Sequence, residues 1–150
     1  DVAQAGDLAG PAGLSSVARL LGSRFWPGAL TVVTVRRPGI GWDLGGDPGT
    51  IGLRCPAHDG VRELCRIVGP LATSSANRHG QAPLVTADGV RAVFGDEVPV
   101  LDGGRCDGRP STVVDTTAVP PHLLRQGAVV WDDVLGALSR TPLPPSGAPA

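Results

Sequence analysis

The chain has no lysine, no methionine and no tyrosine, and only two phenylalanines and three tryptophans in 150 residues. All of its basic side chains are therefore arginines: 13 against 14 acidic residues, a formal net charge of -1 with the histidines neutral. So even a balance gives no global attraction to nucleic acid or to a membrane surface. The arginine-only set reads as the codon bias of a GC-rich genome. The missing methionine, with Asp1 in first place, leads us to expect a chain cut from a longer protein. Cysteine is scarce as well. Cys55, Cys65 and Cys106 are odd in number and lack Cys-x-x-Cys spacing, which argues against a disulfide framework and for a reducing, cytoplasmic setting. No apolar run reaches the roughly 20 residues of a membrane-spanning helix, and no signal peptide opens the sequence.

What is present suits a folded α/β domain over residues 1–139, followed by a disordered Pro/Gly tail over 140–150; hydrophobic residues make up 41% of the chain. Residues 1–13 are rich in Ala and Gly and weakly helical at best. Leu14 to Phe25 carries apolar residues at helical spacing, and Trp26-Pro27-Gly28 stops it. Leu30 to Arg36 and Thr50 to Arg54 read as strands around a Gly-rich connection. His58 to Val68 reads as a helix with Val61, Leu64, Cys65 and Val68 as its apolar stripe. A strand exit is expected at Gly69 to Thr73, a helix capped by Thr86 through Phe94, and strands at Val98–Leu101, Ser111–Thr116 and His122–Arg125. Trp131 to Ser139 completes the set as a helix. Alternating strands and helices, some of the strands consecutive, predict a mixed sheet.

Chemistry is concentrated where Leu71-Ala72-Thr73 gives way to Ser74-Ser75-Ala76-Asn77-Arg78-His79-Gly80. Short hydroxyl and amide side chains there suit a tight loop at a strand end, the place where open α/β sheets hold ligands. An ordinary strand exit is the plainer alternative. Arg54 and Arg125 each close a strand, and guanidinium forks bind both oxygens of a carboxylate or phosphate. Ser111 and Thr112 add hydroxyls. No base or nucleophile stands out, so the set suits phosphoryl or nucleotidyl transfer driven by positioning and charge. Three other patterns carry less. Gly39 to Gly46 leads into a strand and fails the dinucleotide fingerprint, Cys55, His58 and Cys65 lack a second well-spaced metal pair, and Ser75, His79 and Asp102 lack a nucleophile elbow.

Phe25-Trp26-Pro27-Gly28-Ala29-Leu30-Thr31, Thr50-Ile51-Gly52-Leu53-Arg54-Cys55-Pro56, Ser74-Ser75-Ala76-Asn77 with Gly80, Ser111-Thr112-Val113-Val114-Asp115 and Leu124-Arg125-Gln126-Gly127 follow one another as in the Sua5/YrdC/YciO family. The chain resembles that family over about residues 15–130. The resemblance implies a twisted, open, mixed sheet with flanking helices and a concave ligand cleft. It further implies threonylcarbamoyl-AMP synthase activity: L-threonine, bicarbonate and ATP, with Mg²⁺, give threonylcarbamoyl-adenylate and pyrophosphate for t6A modification of tRNA. Downstream tRNA-modification proteins would then be partners, weak RNA binding at the cleft is a further expectation, and no membrane is involved. Carried over by motif, Thr50, Ser75, Asn77 and Arg125 would contact ATP, and Arg54, Thr73 and Ser111 would contact L-threonine. Two departures stand out. The family's K-x-R motif would lie upstream of Asp1, so the chain is expected to be an incomplete and inactive catalytic domain, and Pro83 stands near the place of a usual small hydroxyl residue. A carbamoyl-adenylate carbamoyltransferase domain and a non-catalytic double-stranded RNA-binding module are the alternatives.

Overall fold

The computed structural model describes residues 2–140, so all of the expected tail except Arg140 lies outside the described residues. In chain order the elements are α1 (Val2–Leu8), α2 (Ser16–Phe25), β1 (Leu30–Val35), β2 (Thr50–Leu53), α3 (Asp59–Val68), α4 (Ala87–Phe94), a 3-10 turn (Gly95–Glu97), β3 (Thr112–Asp115), β4 (His122–Arg125) and α5 (Trp131–Ser139). They fall into two compact units: Leu71–Arg109 forms one, and the segments up to Pro70 and from Pro110 onward form the other.

The larger unit holds a four-stranded sheet in the order β2-β1-β3-β4, antiparallel at both edges and parallel between β1 and β3. This is the mixed sheet the sequence predicts. Strand side chains alternate between faces, and one face is apolar: Leu30, Val32, Ile51, Leu53 and Val114 are buried there, against Val17, Ala18 and Leu21 of α2 and Val134 of α5. The other face carries Thr31, Val33, Gly52 and Val113, none of them fully buried.

Local chemistry sets the ends of α2. The Ser15 hydroxyl accepts from the Ala18 amide at 3.1 Å, and the Trp26 amide closes on the Gly22 carbonyl at 3.0 Å. The Trp26 indole then donates to the Leu30 carbonyl at 2.8 Å, binding the turn to the start of β1. Gly28 is required in this turn by space, because a Cβ there would lie 2.2 Å from the Phe25 carbonyl oxygen.

Four stretches differ from the sequence reading. Residues 2–8 form a helix, held by burial of Ala5 and Leu8 and by Arg37 donating to the Leu8 carbonyl at 3.0 Å. Residues 69–73 and 98–101 are irregular, because an apolar run becomes a strand only when another strand pairs with it; Leu101 is 89% exposed. α3 forms as expected, with the His58 ring as its cap, yet Val61, Leu64 and Val68 of its stripe are exposed and Cys65 is half-buried.

In the smaller unit, α4 begins where the sequence places it: the Thr86 hydroxyl accepts from the Gly89 amide at 3.1 Å. Arg78 lies over the Phe94 ring, 4.6 Å from its centroid, and pairs with Glu97 at 3.2 Å.

Candidate anion-binding site

Strand register brings four of the relevant side chains to one end of the sheet. Val32 pairs with Leu53, Leu30 with Thr112 and Val113 with Arg125. The starts of β1 and β3 therefore lie beside the ends of β2 and β4. Along this edge the order is Arg54, Thr31, Ser111 and Arg125, one per strand. Adjacent strands stand about 4.8 Å apart, so the two arginines sit on backbones roughly 14 Å apart. That separation suits two anionic groups better than one.

Hydrogen bonds fix each member. Arg54 donates from Nε to the Gly28 carbonyl at 2.8 Å, and the Gly28 amide donates to the Cys55 carbonyl at 2.8 Å. The rest of the exposed Arg54 guanidinium makes no hydrogen bond to the described residues. Arg125 is more committed. Its Nε and Nη2 donate to the Ser111 carbonyl at 3.1 and 3.0 Å, and Nη2 also reaches the Ser111 hydroxyl at 3.1 Å. That hydroxyl lies 2.7 Å from the Thr31 hydroxyl. Ser111, expected to serve one substrate, and Arg125, expected to serve the other, thus form one cluster.

Two expected contributors lie elsewhere. Thr50 occupies the far end of β2, opposite Val35, where its hydroxyl donates to the Asp47 carbonyl at 3.2 Å. Thr112 faces the core and adds no hydroxyl to the open face. Its Oγ1 donates to the Val129 carbonyl at 2.5 Å and accepts from the Gly127 and Val129 amides at 2.9 and 3.1 Å. These bonds hold the Leu124-Arg125-Gln126-Gly127 turn against β3. Gly127 is obligatory in it, since a Cβ would fall 2.4 Å from the Pro110 carbonyl oxygen.

Thr73, Ser75 and Asn77 belong to the smaller unit. The loop is tight: the Asn77 amide donates to the Ser75 carbonyl at 3.1 Å, and the Leu84 amide to the Ala76 carbonyl at 3.0 Å. The Thr73 and Ser75 side chains are exposed, and neither is hydrogen-bonded to the described residues. Asn77 donates from Nδ2 to the Arg78 carbonyl at 3.0 Å, while its shielded Oδ1 has no partner. In the same unit, the Arg109 backbone amide, followed by the Arg109 side chain, holds the Asp107 carboxyl below its ordinary pKa.

The Gly-rich run is a hairpin loop between β1 and β2, as its approach to a strand implied. It encloses a hollow of about 540 Å³, where Arg36 Nη2 donates to the Ile40 and Trp42 carbonyls at 2.5 Å each. The loop joins Val35 to Thr50, so it lies at the opposite end of the sheet from Arg54. Among the described residues no three His, Cys, Asp or Glu side chains gather to hold a metal. The His58 ring instead caps α3, accepting from the Val61 amide at 3.3 Å. No helix among the described residues is long and apolar enough to cross a membrane.

The chain is thus an open α/β domain: a mixed four-stranded sheet covered by helices on one face, with guanidinium groups and hydroxyls gathered at one end of the other. The family described as Sua5_yciO_yrdC, telomere recombination, matches residues 1–127, and the chain belongs to that family. A Mycobacterium tuberculosis protein is 48% identical over 123 residues, 81% of this chain and 57% of that one. The threonylcarbamoyl-AMP synthase of Pyrococcus abyssi is 34% identical over 120 residues, 78% of this chain and 35% of the enzyme. The crystal structure of Pyrococcus abyssi Sua5 complexed with L-threonine superposes with a TM-score of 0.81 at 30% identity, covering 88% of this chain and 39% of that one. Escherichia coli YciO shares the fold, with a TM-score of 0.72. The chain thus spans little more than half of the Mycobacterium tuberculosis protein and under half of the Pyrococcus abyssi enzyme.

The sequence reading did not single out Thr31 and Gly52, which lie on the same sheet face as Arg54. Both sit inside quoted motifs, and strand alternation was the available signal: Gly52 shares a face with Thr50 and Arg54, and Thr31 lies beside it on β1.

Proposed function

We propose that the chain supplies the amino-acid and anion-binding part of a threonylcarbamoyl-AMP synthase. In this reaction the amine of L-threonine captures bicarbonate as a carbamate, with loss of water. A carbamate oxygen attacks the α-phosphate of ATP, and the bond to pyrophosphate breaks, leaving threonylcarbamoyl-adenylate. The adenylate is then consumed by tRNA t6A-modification proteins in the cytoplasm. The reading is carried by one observation: Arg54 and the Arg125–Ser111 cluster occupy one end of a sheet whose counterpart in a related protein belongs to a structure complexed with L-threonine.

The roles come from side-chain chemistry and the family resemblance. Arg54, with most of its guanidinium unspent, pairs with the threonine carboxylate. Arg125 and Ser111 form the second anchor along the same sheet end, and the Thr73 backbone serves threonine, as the family resemblance implies. Ser75 and Asn77 offer ATP a hydroxyl and a shielded amide oxygen. Thr50, at the far end of β2 with its hydroxyl on the Asp47 carbonyl, stands apart from the Arg54 end of the sheet. An Mg²⁺ ion arriving with ATP would neutralise phosphate charge there. The test is calorimetric titration of the purified protein with L-threonine and, separately, with ATP. Binding of L-threonine is expected, and a folded protein that binds none refutes the reading.

A further inference from the structure

We infer that Arg78 is a positioning residue for the Ser75–Asn77 loop: its guanidinium is spent on the end of α4 and holds the loop in place, rather than meeting phosphate itself. The inference rests on the proposed reading that Ser75 and Asn77 face ATP, and adds to it the group that orders them.

Arg78 follows Asn77 directly, so adjacency alone would assign it to a phosphate group. The structure commits it elsewhere. Its guanidinium lies over the Phe94 ring, and Nη2 donates to the Val93 carbonyl at 3.3 Å and to Glu97 Oε1 at 3.2 Å. Both N–H bonds of Nη2 are thereby used, and one face of the group is covered by the ring. All three partners lie in the last turn of α4 or the 3-10 turn after it. Carbonyls in a helix's last turn lack an intrahelical donor, and the helix dipole favours a cation there.

The backbone of the same residue gathers the loop. The Arg78 carbonyl accepts from Asn77 Nδ2 and from the Gln81 amide, each at 3.0 Å. The first of these bonds fixes the Asn77 side chain, and with it the place of the unpartnered Oδ1. Little else could order this stretch. Residues 71–84 form no helix or strand, and none of their side chains is buried. Among the described residues, Arg78 is the one side chain of the stretch that hydrogen-bonds beyond it. The ion pair alone would contribute little, since the Arg78 and Glu97 side chains are 54% and 66% exposed. Stacking on Phe94 and the Val93 carbonyl hold the same group, so the tie rests on three contacts together.

The experiment titrates the 150-residue chain with α,β-methylene-ATP and, separately, with L-threonine by calorimetry. Amide hydrogen exchange over residues 71–84 is read in the unliganded protein, with thermal melts as the folding control. Arg78→Met keeps an apolar stem and removes the fork. It is expected to speed exchange over the loop and to weaken binding of the ATP analogue about fivefold, with L-threonine affinity unchanged. Glu97→Gln leaves Arg78 in place and removes one charged partner, and is expected to weaken the analogue about twofold. An Arg78 that bound phosphate itself would give the opposite sign, because losing the competing carboxylate would tighten nucleotide binding. Tighter binding by Glu97→Gln, unchanged loop exchange in a folded Arg78→Met, or an equal loss of L-threonine affinity overturns the inference while the nucleotide reading stands. A wild type that binds no analogue overturns the nucleotide reading of the loop itself, and the inference falls with it.

Discussion

Replacing Thr112 by valine tests how the turn carrying Arg125 is held. The two side chains are nearly the same size, and Thr112 is fully buried, so the substitution opens no cavity. What it removes is polar. The Val129 carbonyl loses a donor at 2.5 Å, and the Gly127 and Val129 amides lose an acceptor at 2.9 and 3.1 Å. An unsatisfied buried group costs about 1–3 kcal/mol. Gly127 and Val129 are half-buried, so water recovers part of that loss, and burying a methyl in place of a hydroxyl offsets a little more. We expect a net loss of about 2–3 kcal/mol, a fall in Tm of roughly 5–10 °C for a domain of this size. Thr112→Ser keeps all three hydrogen bonds and loses only a methyl, about 1 kcal/mol. Circular dichroism melts and urea unfolding measure both variants, and the urea slope should stay unchanged if only stability moves. A Thr112→Val variant as stable as Thr112→Ser would refute the idea that this hydroxyl holds the turn.

Arg54→Ala should weaken L-threonine binding roughly a hundredfold, the worth of a lost bidentate carboxylate contact, while ATP affinity changes far less. Calorimetry with each substrate reads the split, and equal losses would contradict the division of roles. Ser75→Ala combined with Asn77→Ala should abolish ATP binding with the fold intact by circular dichroism; unchanged affinity would move the nucleotide site off this loop.

The sequence alone determined what is settled within a few residues. Ser15, His58 and Thr86 cap helices because a side-chain acceptor meets an amide three residues on, whatever the rest of the chain does. The β-branched runs at Leu30–Val35 and Thr112–Asp115 carry a local preference for strand, which pairing with each other then realises. The family motifs were legible in the same way. Tertiary structure decided everything that depends on pairing. Apolar runs at 69–73 and 98–101 met no partner strand and stayed irregular, while the unpromising Val2–Leu8 became a helix because Ala5 and Leu8 found a core to enter. Register, which no local pattern encodes, put Arg54 and Arg125 on opposite edges of one sheet end. It also turned Thr112 inward and left Thr31 facing out. Adjacent residues of a strand point to opposite faces, so only the sheet's packing could say which hydroxyl would enter the core and which would stay on the open face.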